Sequence, residues 1–396
     1  MDWIKEQTKV LHQELIEMRR DFHEHPELGF EENRSAGIVE HYLQNLGLTT
    51  KRIAKTGVVA MIEGDPKGPV IMLRADMDAL PVQEENPVEY ASKTPGVMHA
   101  CGHDAHMTML LGAAKILTKI KESLKGSIKL VFQPDEENAG ALPMIKEGVL
   151  DNPKVDSALG IHIWTPLPSG TIGVSSGGVM SGLDVFQMKV KGYGGHSGYP
   201  ETAIDPIIAA SDIVVSAQRI QTREVSSMKP MTMVFGKING GTKANIIPDE
   251  VTLEGSIRTL YNDTEDPPIN RLKLLSENVA RVHHCECEIT WVRENIPLIN
   301  DNKLVSEMIP VAKEVVEDEN KVIPYRTMAS EDFSEFTSRI PGVFLFLGTG
   351  NEGKETHFPH HNPRFNIDED VLPQGVELYV KGALKYLESF TGSSRI

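Results

Sequence analysis

The sequence predicts an α/β protein, a mostly parallel sheet with helices on both faces, interrupted by an inserted α+β domain of ferredoxin-like order. Three observations carry this expectation. The chain has 396 residues, more than one ordinary hydrophobic core accommodates. Toward both ends, strand-like runs alternate with helical patterns, and the runs are apolar almost throughout, as in strands buried on both sides. In the middle the order changes to strand, helix, strand, strand, helix, strand, the split βαβ arrangement.

The elements follow in order. Ile4, Val10, Leu11, Leu15, Ile16, Met18 and Phe22 recur at helical spacing, and a turn at His25-Pro26-Glu27-Leu28-Gly29 ends that helix. A second helix spans Asn33 to Leu46 and stops at Gly47. Val58 to Glu63 and Val70 to Ala75 read as strands, and Asp104 to Ile120 as a helix with Asp104 as its N-cap. Ser127 to Phe132 and Ala158 to Ile163 are further strands, and Gly177 to Gly182 reads as a flexible joint. The inserted domain then reads as strand Asp184–Lys191, helix Thr202–Arg223, strands Met231–Ile238 and Val251–Leu260, helix Asp266–His283 and strand Glu288–Arg293. After Pro297 come a helix near Leu304 to Glu317, the strand Val343–Leu347 and a helix from Leu372 to Ser389. The expected boundaries are 1–183 and 295–396 for the two pieces of the larger domain and 184–294 for the insertion.

Forty Lys+Arg against 56 Asp+Glu give a formal charge of -16, and such a surface repels phosphate backbones, so nucleic acid is excluded as a partner. Three cysteines build no disulfide framework and suit a reducing compartment. No apolar stretch approaches the roughly 20 residues of a membrane span, and the first residues lack an apolar signal core. No membrane partner and a cytoplasmic location are therefore expected.

Potential metal ligands fall just beyond strand ends, where open α/β sheets place their sites. Met98-His99-Ala100-Cys101-Gly102-His103-Asp104-Ala105-His106 offers a thiolate and imidazoles on a glycine-containing turn. Phe132-Gln133-Pro134-Asp135-Glu136-Glu137 ends a buried strand in successive acids, which are unfavourable together unless cations neutralise them. His162 lies near the end of a third strand, and His357, His360 and His361 precede Pro363. Singly, each reads more simply: Cys101 as a small buried hydrophobe, His162 as a hydrogen-bonded core residue, the acids as solvated surface. Their joint placement points to a metal site. Cys285 and Cys287 have no partner pair and read as free thiols.

In order, Ala75-Asp76-Met77-Asp78-Ala79-Leu80-Pro81, the Met98 to His106 run, Phe132 to Glu137, Gly160 to Ile163, Gly194-Gly195-His196-Ser197, Asn245-Ile246-Ile247-Pro248, Ser330-Glu331-Asp332-Phe333 and His361-Asn362-Pro363 resemble the metal-dependent aminoacylase/carboxypeptidase-type amidohydrolases. The branch is that of hippurate hydrolases, auxin-amino-acid conjugate hydrolases and N-acetyldiaminopimelate deacetylases, and the likeness covers essentially the whole chain. It implies a di-metal exopeptidase-like catalytic domain, with the insertion as lid and dimerisation module in a homodimer or homotetramer. It implies that Cys101, His103, Glu137, His162 and His361 hold two divalent ions, Mn or Zn, and that Glu136 is the general base. Asp78 would orient a ligand, although Asp76 competes for that role, and the three late histidines stay inseparable apart from the motif's preference for His361.

The reaction implied is cleavage of N-acyl-amino acids such as acetyl or benzoyl derivatives by water that two cations acidify, with Glu136 passing its proton to the leaving amine. His196, at the end of the insertion's first strand, would donate to the oxyanion, in its own or a partner subunit's site. Asn245 and Arg258 suit the substrate carboxylate. A dipeptidase or carboxypeptidase and a two-metal phosphoesterase are the alternatives, the latter disfavoured by the acidic chain and the lack of a phosphate-cradling loop. Two departures from the family pattern stand out: Asn138-Ala139-Gly140-Ala141-Leu142-Pro143 follows the glutamates where a glycine run is common, and Glu201 stands where many relatives carry a histidine.

Overall fold

The apolar stripe of the opening segment folds as helix α1 (Trp3–Glu24), which buries Leu11, Leu15 and Phe22, followed by α2 (Asn33–Asn45). These and all elements below come from a computed structural model that describes residues 3–263, 267–316 and 318–390. Two compact units result. Unit 1 is Met1–Val179 with Ile299–Arg326 and Glu331–Ile396, and unit 2 is Met180–Leu298 with Thr327–Ser330.

Unit 1 holds an eight-stranded sheet. Its strands are β1 (Thr50–Ile53), β2 (Gly57–Ile62), β3 (Val70–Asp76), β4 (Ser127–Gln133), β5 (Ser157–Pro168), β6 (Ile172–Gly173), β15 (Val322–Ile323) and β16 (Gly342–Gly350). The sheet order is β1-β2-β4-β3-β5-β16-β6-β15. The central strands β4, β3, β5 and β16 run parallel, and β1, β2 and the β16–β6 pair supply the antiparallel exceptions. All seven residues of β3 are buried, as a strand covered on both faces requires. On one face α3 (His103–Lys119) and α9 (Leu372–Ser389) lie on β3 and β5, with α1 and α7 (Asn302–Val315) beside them. Leu159, Ile161 and Ile163 of β5 point into that core. The alternate positions turn the other way, where Phe333 lies against Phe344, and the short helices α4 (Ala141–Lys146) and α8 (Ser334–Thr337) pack together.

The chain leaves unit 1 through β7 (Gly177–Met180) and returns through β14 (Leu298–Asn300). The residues expected as a flexible joint thus form strand; Gly182 begins β8 where a Cβ would meet Pro297 Cδ at 2.8 Å.

Unit 2 is built from β8 (Gly182–Lys191), α5 (Pro206–Arg219), β10 (Met231–Gly240), β12 (Glu250–Thr259), α6 (Pro268–Val282) and β13 (Glu286–Asn295), with a small ladder of β9 (Gly195–His196) on β11 (Ile246–Ile247). The sheet order β10-β12-β8-β13, antiparallel throughout, is that of the ferredoxin-like arrangement. Phe186, Met188 and Val190 of β8 pack with Ile213 of α5 and Leu272 of α6. The unit limits lie a few residues outside 184–294, and Thr327–Ser330 join unit 2 because Arg258 on β12 donates to the Met328 carbonyl and the Ser330 hydroxyl.

One expected helix begins and ends differently. The span 202–223 is divided: a 3-10 turn at Pro200–Thr202 precedes α5, whose Asp205 carboxylate caps Ile207 N at 2.8 Å, and a π turn follows at Ile220–Glu224. Pro206 sits at the first helical position, where its missing N–H is harmless. The expected start at Asp266 and end at Glu317 lie outside the described residues.

Candidate metal centre

The turn that begins α3 is made by Gly102 at φ 88°, where a Cβ would also meet Ile163 Cδ1 at 2.5 Å. Gly102 is the N-cap, so Asp104 is not, contrary to expectation. Asp104 lies inside the first turn, and its buried carboxylate instead takes Arg19 Nε at 2.8 Å and His23 Nδ1 at 2.7 Å. This sharp start presents Cys101 and His103 side by side.

His103 Nδ1 donates to the Asp78 carbonyl at 2.8 Å and to Asp78 Oδ1 at 3.1 Å, which leaves Nε2 aimed inward. That Nε2 is buried and has no hydrogen-bond partner. Burial alone would lower the pKa of His103, but Asp76 and then Asp78 outweigh it and push it up to about 10 among protein groups alone. Asp78 thus holds His103, whereas Asp76 is taken by Arg74 Nη1 and His106 Nδ1, each at 2.6 Å.

His162 enters from β5. Its Nδ1 donates to the Ile163 carbonyl at 2.6 Å, so Nε2 faces Cys101 Sγ at 3.6 Å. Burial, together with His106 and His360, keeps this imidazole neutral, with its pKa well below the usual 6.5. The Cys101 thiol is pushed well above its ordinary range by burial and by Glu137 and Glu136.

The acids do not continue the strand. After β4 ends at Gln133, Asp135 turns left-handed at φ 50° and Glu136–Asn138 form a 3-10 turn. Gly29 lies so close that a Cβ there would meet Asp135 Oδ1 at 1.7 Å. Ala139, where a glycine run is common, is itself left-handed at φ 68°. The turn sends Glu137 and Glu136 to different neighbours. Glu137 N donates to Asp78 Oδ2 at 3.1 Å, and Glu137 Oε1 faces His361 Nε2 at 3.2 Å without a hydrogen bond to it. Glu136 Oε1 accepts from Asp332 N at 3.2 Å. Its carboxyl is pushed well above the usual range by burial and by Glu331, Glu137 and Asp332, with Arg74 opposing.

The three late histidines separate in space. His361, at φ 65°, is tied by its N–H to the Ala100 carbonyl at 2.8 Å and meets Glu137. His360 donates from Nε2 to the Ile163 carbonyl at 3.2 Å and lies on Trp164 with ring centres 4.4 Å apart. His357 is exposed and stacks on Phe358.

Donor atoms of Cys101, His103 and His162 lie within 4.8 Å of one another, as do those of Cys101, Glu137 and His361 and of His103, Glu136 and Glu137. Cys101 is common to the first two groups. The fit to cations rests on the orphaned atoms: buried His103 Nε2 and Glu137 Oε1 lack hydrogen-bond partners, and Glu137 and Glu136 crowd negative charge onto the Cys101 thiol.

Sequence reasoning passed over the lattice behind Glu136. Buried Arg74 donates to Glu331 at 3.0 Å and to Asp332 at 2.9 Å, and Gln133 Nε2 donates to both oxygens of Asp332 at 2.8 Å. The available signal was a lone arginine in the otherwise apolar strand Val70–Ala75, since a buried guanidinium demands carboxylates. His23, near the end of α1, is buried between Asp104 and Glu84 at 2.7 and 3.1 Å, while His25 Nδ1 donates to the Asp21 carbonyl.

The remaining predicted residues belong to unit 2. His196 is exposed on β9, and its Nδ1 accepts from Gly198 N at 2.9 Å, so the ring proton sits on Nε2. Asn245 is exposed, and its carbonyl accepts from Ser197 N at 3.3 Å. Arg258 is half-buried and uses Nη1 on Met328 O and Ser330 Oγ at 3.0 and 3.2 Å. Glu201 is exposed, Cys285 is buried and Cys287 partly so.

Known proteins share this sequence and architecture. Residues 72–385 match the profile of the peptidase family M20/M25/M40. The chain is 36% identical over 392 residues to thermostable carboxypeptidase 2 of Saccharolobus solfataricus, covering 97% of this chain and 98% of that one. It is 38% identical over 385 residues to the N-acetyl-L-cysteine deacetylase of Bacillus subtilis, covering 96% and 90% respectively. The crystal structure of a Bacillus subtilis dinuclear metal-binding peptidase of the M20 family superposes with a TM-score of 0.84 at 32% identity, over 96% of this chain and all of that one.

Proposed function

We propose, from the premise that this chain belongs to the peptidase family M20/M25/M40, that it is a di-metal amidohydrolase cleaving the amide bond of N-acyl-amino acids. The observation that carries this reading is the meeting of Cys101, His103, Glu137, His162 and His361 in overlapping groups around one thiol, beside Glu136. Two divalent ions held by those five residues, zinc or manganese, would supply Lewis acidity to water and to the scissile carbonyl.

The chain's own groups do the rest. Glu136, with one oxygen held by Asp332 N, takes the proton of the attacking water and delivers it to the amine nitrogen as the C–N bond breaks. The products are a carboxylate and a free amino acid. His196 offers a protonated Nε2 to the oxyanion, and Asn245 with the unengaged donors of Arg258 binds the amino acid's carboxylate. The deacetylase relative supports an N-acyl-amino acid substrate, and the carboxypeptidase relative supports the same bond at a peptide's C-terminus. We place the enzyme in the cytoplasm as a homodimer or homotetramer through unit 2. Among the described residues no helix is long and apolar enough to cross a membrane.

Glu136→Ala tests the assignment. It is expected to lower turnover of an N-acetyl- or N-benzoyl-amino acid by ~10²–10⁴-fold while bound metal, measured by elemental analysis, stays at the wild-type level. Retained turnover removes Glu136 from the mechanism, and a panel of acyl groups assayed with Zn or Mn identifies the substrate.

A further inference from the structure

His106 lies among potential ligands, within 4.8 Å of atoms of Asp76 and His103, yet both its ring nitrogens are already committed. Ile163 N donates to Nε2 at 2.9 Å. A main-chain N–H always carries its proton, so Nε2 must be the bare nitrogen and Nδ1 the protonated one. Nδ1 then donates to Asp76 Oδ1 at 2.6 Å. The ring is 1% exposed and sits between two of the proposed ligands, stacked on His103 with centroids 5.4 Å apart and edge-on to His162 at 4.5 Å.

Ile163, whose N–H His106 takes, also aims His162 through its carbonyl, which lies in the next peptide along. The Ile163 carbonyl accepts from His162 Nδ1 at 2.6 Å and from His360 Nε2 at 3.2 Å. Hydrogen bonds therefore run from Arg74 to Asp76, His106 and the Ile163 N–H, and from the carbonyl of the same residue to His162, whose other nitrogen faces Cys101. His103 is aimed separately, by Asp78.

We infer that His106 is a positioning residue for one of the two cation positions: through the main chain of Ile163 it sets the orientation of His162, and so governs the position formed by Cys101, His103 and His162 and not the one formed by Cys101, Glu137 and His361. The inference rests on the proposed di-metal reading. It also divides the labour of Asp76 and Asp78, which aim different imidazoles. Partners of ligating histidines typically change metal affinity by ~10–100-fold when removed.

The test is a pair of double-mutant cycles read by Zn²⁺ binding in equilibrium dialysis. In a His361→Ala background, which leaves the His162 position, adding His106→Gln is expected to weaken the remaining Zn²⁺ by ~10–100-fold. In a His162→Ala background, which leaves the His361 position, the same change is expected to leave affinity unaltered. Asp76→Asn repeats both cycles should His106→Gln fail to fold, with the thermal midpoint of the metal-free chain as the check. Equal weakening in both backgrounds, or none in either, overturns the inference. A wild-type chain that takes up no Zn²⁺ refutes the di-metal reading and this inference together, whereas two wild-type sites with the wrong cycle pattern refute the inference alone.

Discussion

Within five residues, His357, His360 and His361 offer the same imidazole to different surroundings. His361 faces Glu137 and shares a 4.8 Å group with Cys101, His360 is stacked on Trp164 with its pKa pushed down to about 3 by burial, and His357 lies on Phe358 in solvent. His361→Ala is therefore expected to lose one bound cation and turnover together, while His357→Ala retains both; elemental analysis and a hydrolysis assay decide, and equal effects would refute the separation. Their sequence is uninformative here because the sorting depends on the left-handed turn at His361, which places its N–H on the Ala100 carbonyl. The family itself was legible, since the run from Cys101 to His106 and the paired glutamates are short motifs whose chemistry is local. Arg74, Glu331 and Asp332 were not legible as a lattice, because long separations along the chain hide contacts of about 3 Å between them.

At the scale of elements, the site depends on how α3 and the Glu136 turn begin. Alternating apolar runs predicted β3, β4, β5 and β16 well, because burial on both faces writes itself into composition. Short strands such as β6 and β15 have too few residues to show a period, and the start of α3 was misread because an acid at the right spacing resembles a cap. There Gly102 makes the turn and Asp104 neutralises Arg19. Gly102→Ala is expected to destabilise the fold and weaken cation binding together, since a Cβ must displace Ile163 and adopt φ 88°. Ile163→Val should relieve the Cδ1 part of the clash, and its thermal midpoint in the Gly102→Ala background measures how much; no rescue would assign the loss to φ and to the Cγ1 contact at 2.7 Å that valine keeps.

At the scale of the whole molecule, a buried charge network joins elements distant in the chain. His23 on α1 donates to Asp104 on α3 and to Glu84 in the loop between β3 and α3, Arg19 joins Asp104, and Arg20 pairs with Glu369 before α9. Burial and Arg19 would lower the His23 pKa, but Asp104 and Glu84 outweigh them, so it is raised above 6.5. A group raised in the folded state contributes fully below its unfolded pKa, and that stability is lost as pH rises from there through the folded value. His23→Gln keeps a polar side chain but cannot carry the charge. The difference in thermal midpoint between wild type and His23→Gln is therefore expected to be largest near about pH 6 and to shrink toward about pH 9. A difference that stays constant or widens across that range would mean that His23 is held neutral, and that Arg19 alone supplies the positive charge facing Asp104.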